Sequence, residues 1–339
     1  MKKLKFFEKI MFFFNSIVAF ILLLSYLLPL LPPITFSALS VLGLAVPLLI
    51  VLNSLFFIYW LIKIKKQLLL SLLILAIGYF SFGSLYKFSE SKTVENDNNI
   101  SIMNYNVRLF NLYKWIPEDK TEEKLVSFIK TEIPDLLALQ EYHPRELTKL
   151  SFYKYKYEKL LGEKKKYGQA IFSNYPIINS GSIAFPNTFN NAIFVDIVKE
   201  KDTIRIYNLH LQSLRIDPKV ENLTTKESEK LFNGVGKTFK MQQFQTKLFL
   251  KHKKKCKYKM IICGDFNNTA FSYVYKQIKN DLNDTFKIAG NGFGRTYNFK
   301  FFPMRIDFIL TDPAFKVNAF KTYDVEYSDH YPIMAKVSL

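Results

Sequence analysis

The 339-residue sequence contains only two cysteines, Cys256 and Cys263. An extended 256–263 segment would hold them roughly 23 Å apart, far beyond the span of a disulfide. Two thiols are also too few for a structural zinc site. They read as ordinary thiols, compatible with an exported domain but silent about compartment. The sequence also lacks a Gly-rich phosphate loop, a heptad pattern and an internal repeat, which argues against nucleotide-loop, coiled-coil and solenoid classes.

The largest absence is charge. From Ile10 to Ile62 there is no Lys, Arg, Asp, Glu or His. Prolines divide this region at PLLPPITF (29–36), and Lys63, Lys65 and Lys66 divide it from the next apolar stretch. The pattern predicts transmembrane helices at 10–30, 37–62 and 67–86, each near the ~20 residues a bilayer requires. No small-x-small cleavage site follows the first stretch and two more follow it, which argues against a removed signal peptide. Lys2, Lys3, Lys5 and Lys9 lie at one end of the first helix, and the second connection is also basic. By the positive-inside rule, both are cytoplasmic in the inner membrane, and three crossings deliver residue 87 onward to the outer side. The predicted spans contain no charged residue that could line a transport path, so they read as an anchor.

Forty of the 47 basic and 28 of the 29 acidic residues lie beyond residue 86, giving that part a net charge of +12. Such a balance favours phosphate-rich or anionic partners. The expected organisation is an anchor at 1–87, a polar linker at 88–99 (FSESKTVENDNN) and a soluble domain at 100–339. In that domain 100–107, 135–141, 169–173, 192–198, 203–211, 259–265, 304–310 and 333–339 read as strands. Residues 118–132 and 238–255 read as helices. Strands with helices between them predict a mixed α/β domain.

Several of these strands end on a polar residue. KMII (259–262) runs into CGDFNN (263–268), where Asp265 and Asn267 either cap a turn or face a shared site. Asn106 in NYNV, Glu141 in ALQE, His210 in NLHL and Asp307 in RIDFIL stand in the same position, and Asp329 and His330 precede the last strand. Ligand sites gather where strand ends converge. Glu141 offers a hard carboxylate suited to Mg²⁺. His210 and His330 offer an acid and a base, and Asp307 is available to orient His330. Asn106 and Asn267 can bind phosphoryl oxygens or metal-bound water without adding charge. The set suits metal-assisted phosphoester hydrolysis.

The ordered motifs MNYNVR (103–108), LLALQE (136–141), YGQAIFSNYPI (167–177), YNLHLQS (207–213), IICGDFNN (261–268), RIDFIL (305–310) and YSDHYPI (327–333) resemble the endonuclease/exonuclease/phosphatase superfamily, with its deoxyribonuclease-I-like fold. They span essentially the whole soluble part and none of the apolar part. The resemblance implies a four-layer α/β/β/α sandwich with the site at one rim. It implies that Glu141 binds Mg²⁺, for which Mn²⁺ can substitute, with Asn106 and Asp329 around the metal or its waters. His330, paired with Asp307, would activate water or steady the phosphoryl group. His210 would stabilise or protonate the leaving oxygen. Asp265 and Asn267 would position nucleophile and phosphate, and branches of the family differ on whether the Asp265 equivalent is the base.

NVRLFN and His210 depart from the abasic-site endonuclease pattern, and GDFNN departs from the GDLNYR of inositol-polyphosphate 5-phosphatases. HLQS and YSDHYP are shared with deoxyribonuclease-I-like nucleases and bacterial sphingomyelinases. The expected activity is therefore that of a membrane-anchored phosphodiesterase. Nucleic acid is the favoured substrate on charge, and a phospholipid headgroup or a phosphatase reaction is the alternative. A catalytically inactive tethered binding module is the reading from another class; retention of every polar position named above argues against it. No protein partner is readable from the sequence.

Overall fold

A computed structural model describes residues 4–83, 85–88, 98–162, 166–214, 225–299 and 302–339. The chain opens with α1 (Phe6–Ser25), α2 (Ser37–Ser40), α3 (Val46–Ile62) and α4 (Leu68–Phe82). The linker expected at 88–99 falls largely on 89–97, outside the described residues. Then follow β1 (Ile100–Asn106), α5 (Thr121–Glu132), β2 (Leu136–Tyr142), β3 (Tyr155–Leu161), β4 (Tyr167–Ser173), β5 (Ile177–Ala184), β6 (Asn191–Lys199) and β7 (Asp202–His210). The remainder is α6 (Thr225–Lys253), β8 (Lys259–Asp265), α7 (Tyr273–Lys279), β9 (Asn283–Asp284), α8 (Thr285–Ala289), β10 (Asp307–Thr311), β11 (Lys316–Thr322) and β12 (Ile333–Ser338).

The apolar region departs from the expected three spans. Among the described residues, only Phe6–Leu30, 25 residues, is by itself long and apolar enough to cross a bilayer; a second candidate joins Ser37–Leu44 to Val46–Ile62 across a 59° bend. α4 has 15 residues, about 22 Å at 1.5 Å per residue, against a hydrocarbon core of about 30 Å. Gly83 in a left-handed conformation (φ 81°) ends it early. These helices pack with polar groups inward: buried Asn15 donates to Ser71 Oγ at 2.7 Å and accepts from Trp60 Nε1 at 3.0 Å. Phe6, Phe13, Phe20, Ile62, Leu69 and Phe80 face outward and exposed.

The rest is two mixed six-stranded sheets, ordered β11-β12-β1-β2-β4-β3 and β5-β6-β7-β8-β10-β9. Strand alternation fixes how they stack. Ile100 and Ile102 of β1, Leu136 and Ala138 of β2, Ile204 and Ile206 of β7, and Ile261 and Cys263 of β8 share one core between the sheets. The opposite faces carry Met103, Leu137 and Leu139 against α5, and Tyr207, Leu209 and Ile262 against α6 and α7. This is the α/β/β/α sandwich. Cys263 lies wholly in the inter-sheet core, burial pushes its thiol up, and both cysteines are free.

All eight expected strands form. The four strands the sequence did not reveal, β3, β5, β9 and β11, are the four edges of the two sheets. The second helix begins earlier than expected, at Thr225 rather than 238.

Candidate active site

The alternation that builds the core also builds the site. Following the inward face of each strand to one rim, apolar residues give way to Asn104 and Asn106 on β1, Gln140 on β2, Asn208 and His210 on β7, and Asp265 on β8. β1 and β2 are parallel, as are β7 and β8, so these ends meet at one rim. β10 runs antiparallel to β8 and starts there, setting Asp307 opposite Asp265.

Two positions need special backbone. Glu141 is one residue past Gln140 and by alternation would point away. It instead adopts φ 51° where the β2–β4 register shifts. A bulge re-aims a side chain, and a non-glycine residue at positive φ marks strain that the surroundings must hold. Gly264 lies so close to β7 that a Cβ there would sit 2.1 Å from the Leu209 carbonyl oxygen. The CGD sequence therefore requires its glycine.

The expected residues converge. His330 Nδ1 meets Asp307 Oδ2 at 2.9 Å, and His330 Nε2 faces Asp265 Oδ2 at 3.7 Å. His210 Nε2 stands 3.7 Å from the same Asp265 oxygen and 4.0 Å from Glu141 Oε1. Asn106 Nδ2 donates to Asp265 Oδ2 at 3.1 Å and to Glu141 Oε1 at 3.4 Å, holding the two carboxylates together. Asn267 donates its backbone N–H to Asp265 Oδ1 at 2.8 Å, and its Nδ2 to Asp265 Oδ2 at 3.0 Å and the Leu211 carbonyl at 3.0 Å. Asp329 lies at the more open side, with Arg108 Nε 3.3 Å from its Oδ2.

The electrostatics divide these groups. Burial works against charge on His330, but Asp307 and Asp265 outweigh it and raise its pKa to about 10, so it is an imidazolium at neutral pH. Burial, then the neighbouring charge of His330, lower that of His210 to about 3, leaving it neutral. Burial pushes Asp265 up to about 7, against the opposing pull of His330. Glu141 is also raised, by burial and then by the charge of Asp329. Carboxylates crowded in this way are ionised most readily against a cation.

Hard carboxylate and amide oxygens on the Glu141 side suit a divalent ion such as Mg²⁺. The ligating atoms of Asp265, Asp307 and His330 also lie within 4.8 Å of one another. His330 and Asp307 already satisfy each other there, so the Glu141 side is the better place for a cation. His210 Nε2 is buried and has no hydrogen-bond partner among the described residues. Such an orphan costs about 1–3 kcal/mol, and a ligand supplying a partner removes that cost.

Beneath this layer lie amides that the sequence reading passed over. Gln140 Nε2 donates to Asn104 Oδ1 at 2.8 Å and to Asn208 Oδ1 at 2.6 Å, bridging the sheets. Asn104 Nδ2 in turn donates to Asp307 Oδ1 at 3.3 Å. Their signal was present as polar pairs two residues apart on otherwise apolar strands, Asn104 with Asn106 and Asn208 with His210. A cleft of about 1140 Å³ opens from Glu141 and His210, walled by Trp115, Phe189, Lys230 and Lys237.

Comparison with known proteins follows the same outline. The sequence model of the endonuclease/exonuclease/phosphatase family matches residues 103–330, more than half of the chain, and one described as a domain of unknown function matches residues 8–85. No curated protein matches. Similar solved structures include D. rerio TDP2 complexed with single strand DNA product, 18% identical with a TM-score of 0.54, covering 72% of this chain and 100% of that one. The human Nocturnin catalytic domain with bound sulfate anion is 18% identical with a TM-score of 0.54, covering 72% and 96%. An endonuclease/exonuclease/phosphatase from Bacteroides vulgatus is 17% identical with a TM-score of 0.53, covering 71% and 99%. At these identities the structures show a shared fold, and with the family match they establish that this chain belongs to the endonuclease/exonuclease/phosphatase family.

Proposed function

We propose that the protein is a membrane-anchored, metal-dependent phosphodiesterase. The observation that carries this reading is the buried, neutral His210 with an unpartnered Nε2, set between two carboxylates and facing a protonated His330. Glu141, with Asn106 and Asp329, would hold Mg²⁺ or Mn²⁺. The ion would polarise the phosphoryl oxygens and offset their charge. Asp265, poised near neutrality, accepts the proton of the attacking water and is oriented by Asn267 and Asn106. His330, fixed by Asp307, stays protonated and donates from Nε2 to a phosphoryl oxygen as charge builds there. As the bond from phosphorus to the leaving oxygen breaks, His210 donates a hydrogen bond to that oxygen, and the proton taken up by Asp265, whose Oδ2 lies 3.7 Å from His210 Nε2, is passed to it.

A nucleic-acid strand is the favoured substrate. Trp115 and Phe189 expose ring surface in the cleft, and Lys230 and Lys237 supply positive charge. Aromatic stacking with cationic walls is how single strands are held, at about 1–3 kcal/mol per stacked base. One observation favours a phospholipid headgroup instead: α6, which walls the cleft, also lies against the α1–α4 region. The discriminating experiment uses the full chain in detergent with Mg²⁺, offering single-stranded RNA, duplex DNA, sphingomyelin and a soluble inositol phosphate. Polynucleotide cleavage is expected, with KM rising about tenfold in Phe189→Ala. Cleavage of sphingomyelin alone would overturn the nucleic-acid assignment.

The anchor reading draws support from the outward apolar face of α1, α3 and α4. Lys65 pairs with Glu8 at 3.7 Å, gathering the basic ends together, while the 26–45 connection meets the catalytic domain. On this reading α1 crosses the inner membrane with the N-terminus cytoplasmic, the α3–α4 hairpin packs against it, and the catalytic domain lies outside. A reporter fused after Leu339 is then active only as an export-dependent enzyme; activity confined to a cytoplasm-dependent reporter would reverse the orientation.

A further inference from the structure

The apolar N-terminal region is docked on the catalytic domain at the two loops that carry its chemistry. Those loops are 211–213, directly after His210, and 266–269, directly after Asp265. Both are held by one side chain of α6, the wholly buried Gln242. Its Nε2 donates to the Gln212 carbonyl at 2.8 Å and the Asn267 carbonyl at 3.1 Å, and its Oε1 accepts from Asn268 Nδ2 at 2.8 Å. One turn further on, Gln245 Oε1 accepts the Gln212 N–H at 2.9 Å. The loops are also tied to each other, through Asn267 Nδ2 to the Leu211 carbonyl and the Leu211 N–H to the Asp265 carbonyl at 3.0 Å each.

The N-terminal region grips the same two supports from the other side. Gln243, next to Gln242, accepts the Ile34 N–H at 2.8 Å through Oε1. The 37–40 helix packs along α6, and the 28–30 turn lies against α7. Thr269 Oγ1, two residues beyond Asn267, donates to the Gly43 carbonyl at 3.2 Å. Phe271 packs against the core of Leu22, Tyr26, Val46 and Ile74, with its ring 5.7 Å from that of Phe82. Every covalent step from Asp265 to Phe271 is thus bracketed between the site and the apolar helices.

We propose that the N-terminal apolar region is a positioning element of the active site: its docking on α6 and on residues 269–271 sets the loops that aim His210, Asp265 and Asn267. Catalysis then depends on how the apolar helices pack, so the state of the membrane around them reaches the site through Gln242 and Thr269. The proposal rests on the phosphodiesterase reading for its kinetic consequence but not for its structural one. A shift of about 1 Å in a reacting group lowers rates up to about a hundredfold, so a loosened clamp has a measurable effect without unfolding the domain.

The test uses the full chain in detergent with Gln243→Ala and Phe271→Ala, neither of which touches a reacting group. With bis(p-nitrophenyl) phosphate and Mg²⁺, kcat is expected to fall about tenfold in each while KM stays within twofold. Phe271→Leu, which refills most of the apolar contact, is expected to restore most of the rate. Amide hydrogen exchange is read on the same samples. The protected N–H groups of Leu211, Gln212, Asn267 and Thr269 should exchange about tenfold faster in both alanine variants, with the β1–β2 core unchanged. Wild-type kcat together with unchanged exchange in these loops would overturn the proposal and leave the helices as an anchor only. If the wild-type chain hydrolyses no diester, the phosphodiesterase reading falls and the exchange result alone decides the positioning claim. Gln243→Ala removes a single half-exposed contact, so it reports even where Phe271→Ala fails to fold.

Discussion

His330→Ala is expected to lower kcat by about a thousandfold while leaving the fold intact, within the range found for removing a positioned proton donor or oxyanion partner. The imidazole is 5% exposed, and its roles are distributed over its two nitrogens. Nδ1 is held by Asp307, whose other oxygen takes the Asn104 amide. The Asp307 backbone N–H is fixed in turn by donating to Thr296 Oγ1 at 3.0 Å. The ring of Tyr297 packs edge-on at 5.0 Å, fixing the plane. That leaves Nε2, 3.7 Å from Asp265 Oδ2, to donate into the site. Alanine removes this donor and also the positive charge that opposes the raised pKa of Asp265, so proton acceptor and oxyanion partner fail together. Asp307→Asn should lose activity comparably, and the double variant should be little worse than either alone, because residues acting as a unit are not additive. Steady-state kinetics paired with thermal unfolding check this. A His330→Ala enzyme within threefold of wild type would remove His330 from the mechanism.

Glu141→Gln is the second large effect. It is expected to raise the Mg²⁺ concentration for half-maximal activity by at least about tenfold, in line with the losses that follow even outer-sphere substitutions at metal sites. Glutamine keeps the size and can still adopt the bulged backbone, so the φ 51° conformation at this position survives the change. What is lost is the hard anionic oxygen, together with the repulsion between Glu141 and Asp329 that burial intensifies. The variant protein without metal should therefore be no less stable than wild type, and more stable if that repulsion is strained against by the fold. Titration of activity with Mg²⁺ and of melting temperature with and without it separate the two effects. An unchanged metal titration would exclude Glu141 as a ligand.

The sequence made the interior of this protein readable and left its periphery obscure. Strands buried on two faces carry apolar runs such as DLLALQE or KMIICGD, and all eight of these form. β3, β5 and β11 carry polar or mixed residues, as in YKYEKLL, because an edge strand is held by backbone pairing on one side and needs no apolar face. The residues that converge at the rim were legible because a polar side chain ending an apolar strand has no packing reason to be there. Gln140 and Asn208 carried the same signal more weakly, since an amide is cheaper to bury than a carboxylate. Gln242 carried none: nothing in TFKMQQFQ distinguishes it from Gln243, and only the folded chain sets one on the 211–213 and 266–269 loops and the other on Ile34. The apolar helices were visible by composition, but their lengths were not, because the bend before Val46 breaks one where hydropathy continues and Gly83 ends α4 short of the expected residue 86.

The most direct test of the central claim is diester hydrolysis by the full chain, stripped of metal with a chelator and then returned to Mg²⁺, beside the Asp265→Asn variant. The account predicts no turnover after stripping, recovery with Mg²⁺ in the wild type, and none in the variant, whose amide cannot accept the water's proton. Recovery of equal activity in Asp265→Asn, or turnover indifferent to metal, would contradict it.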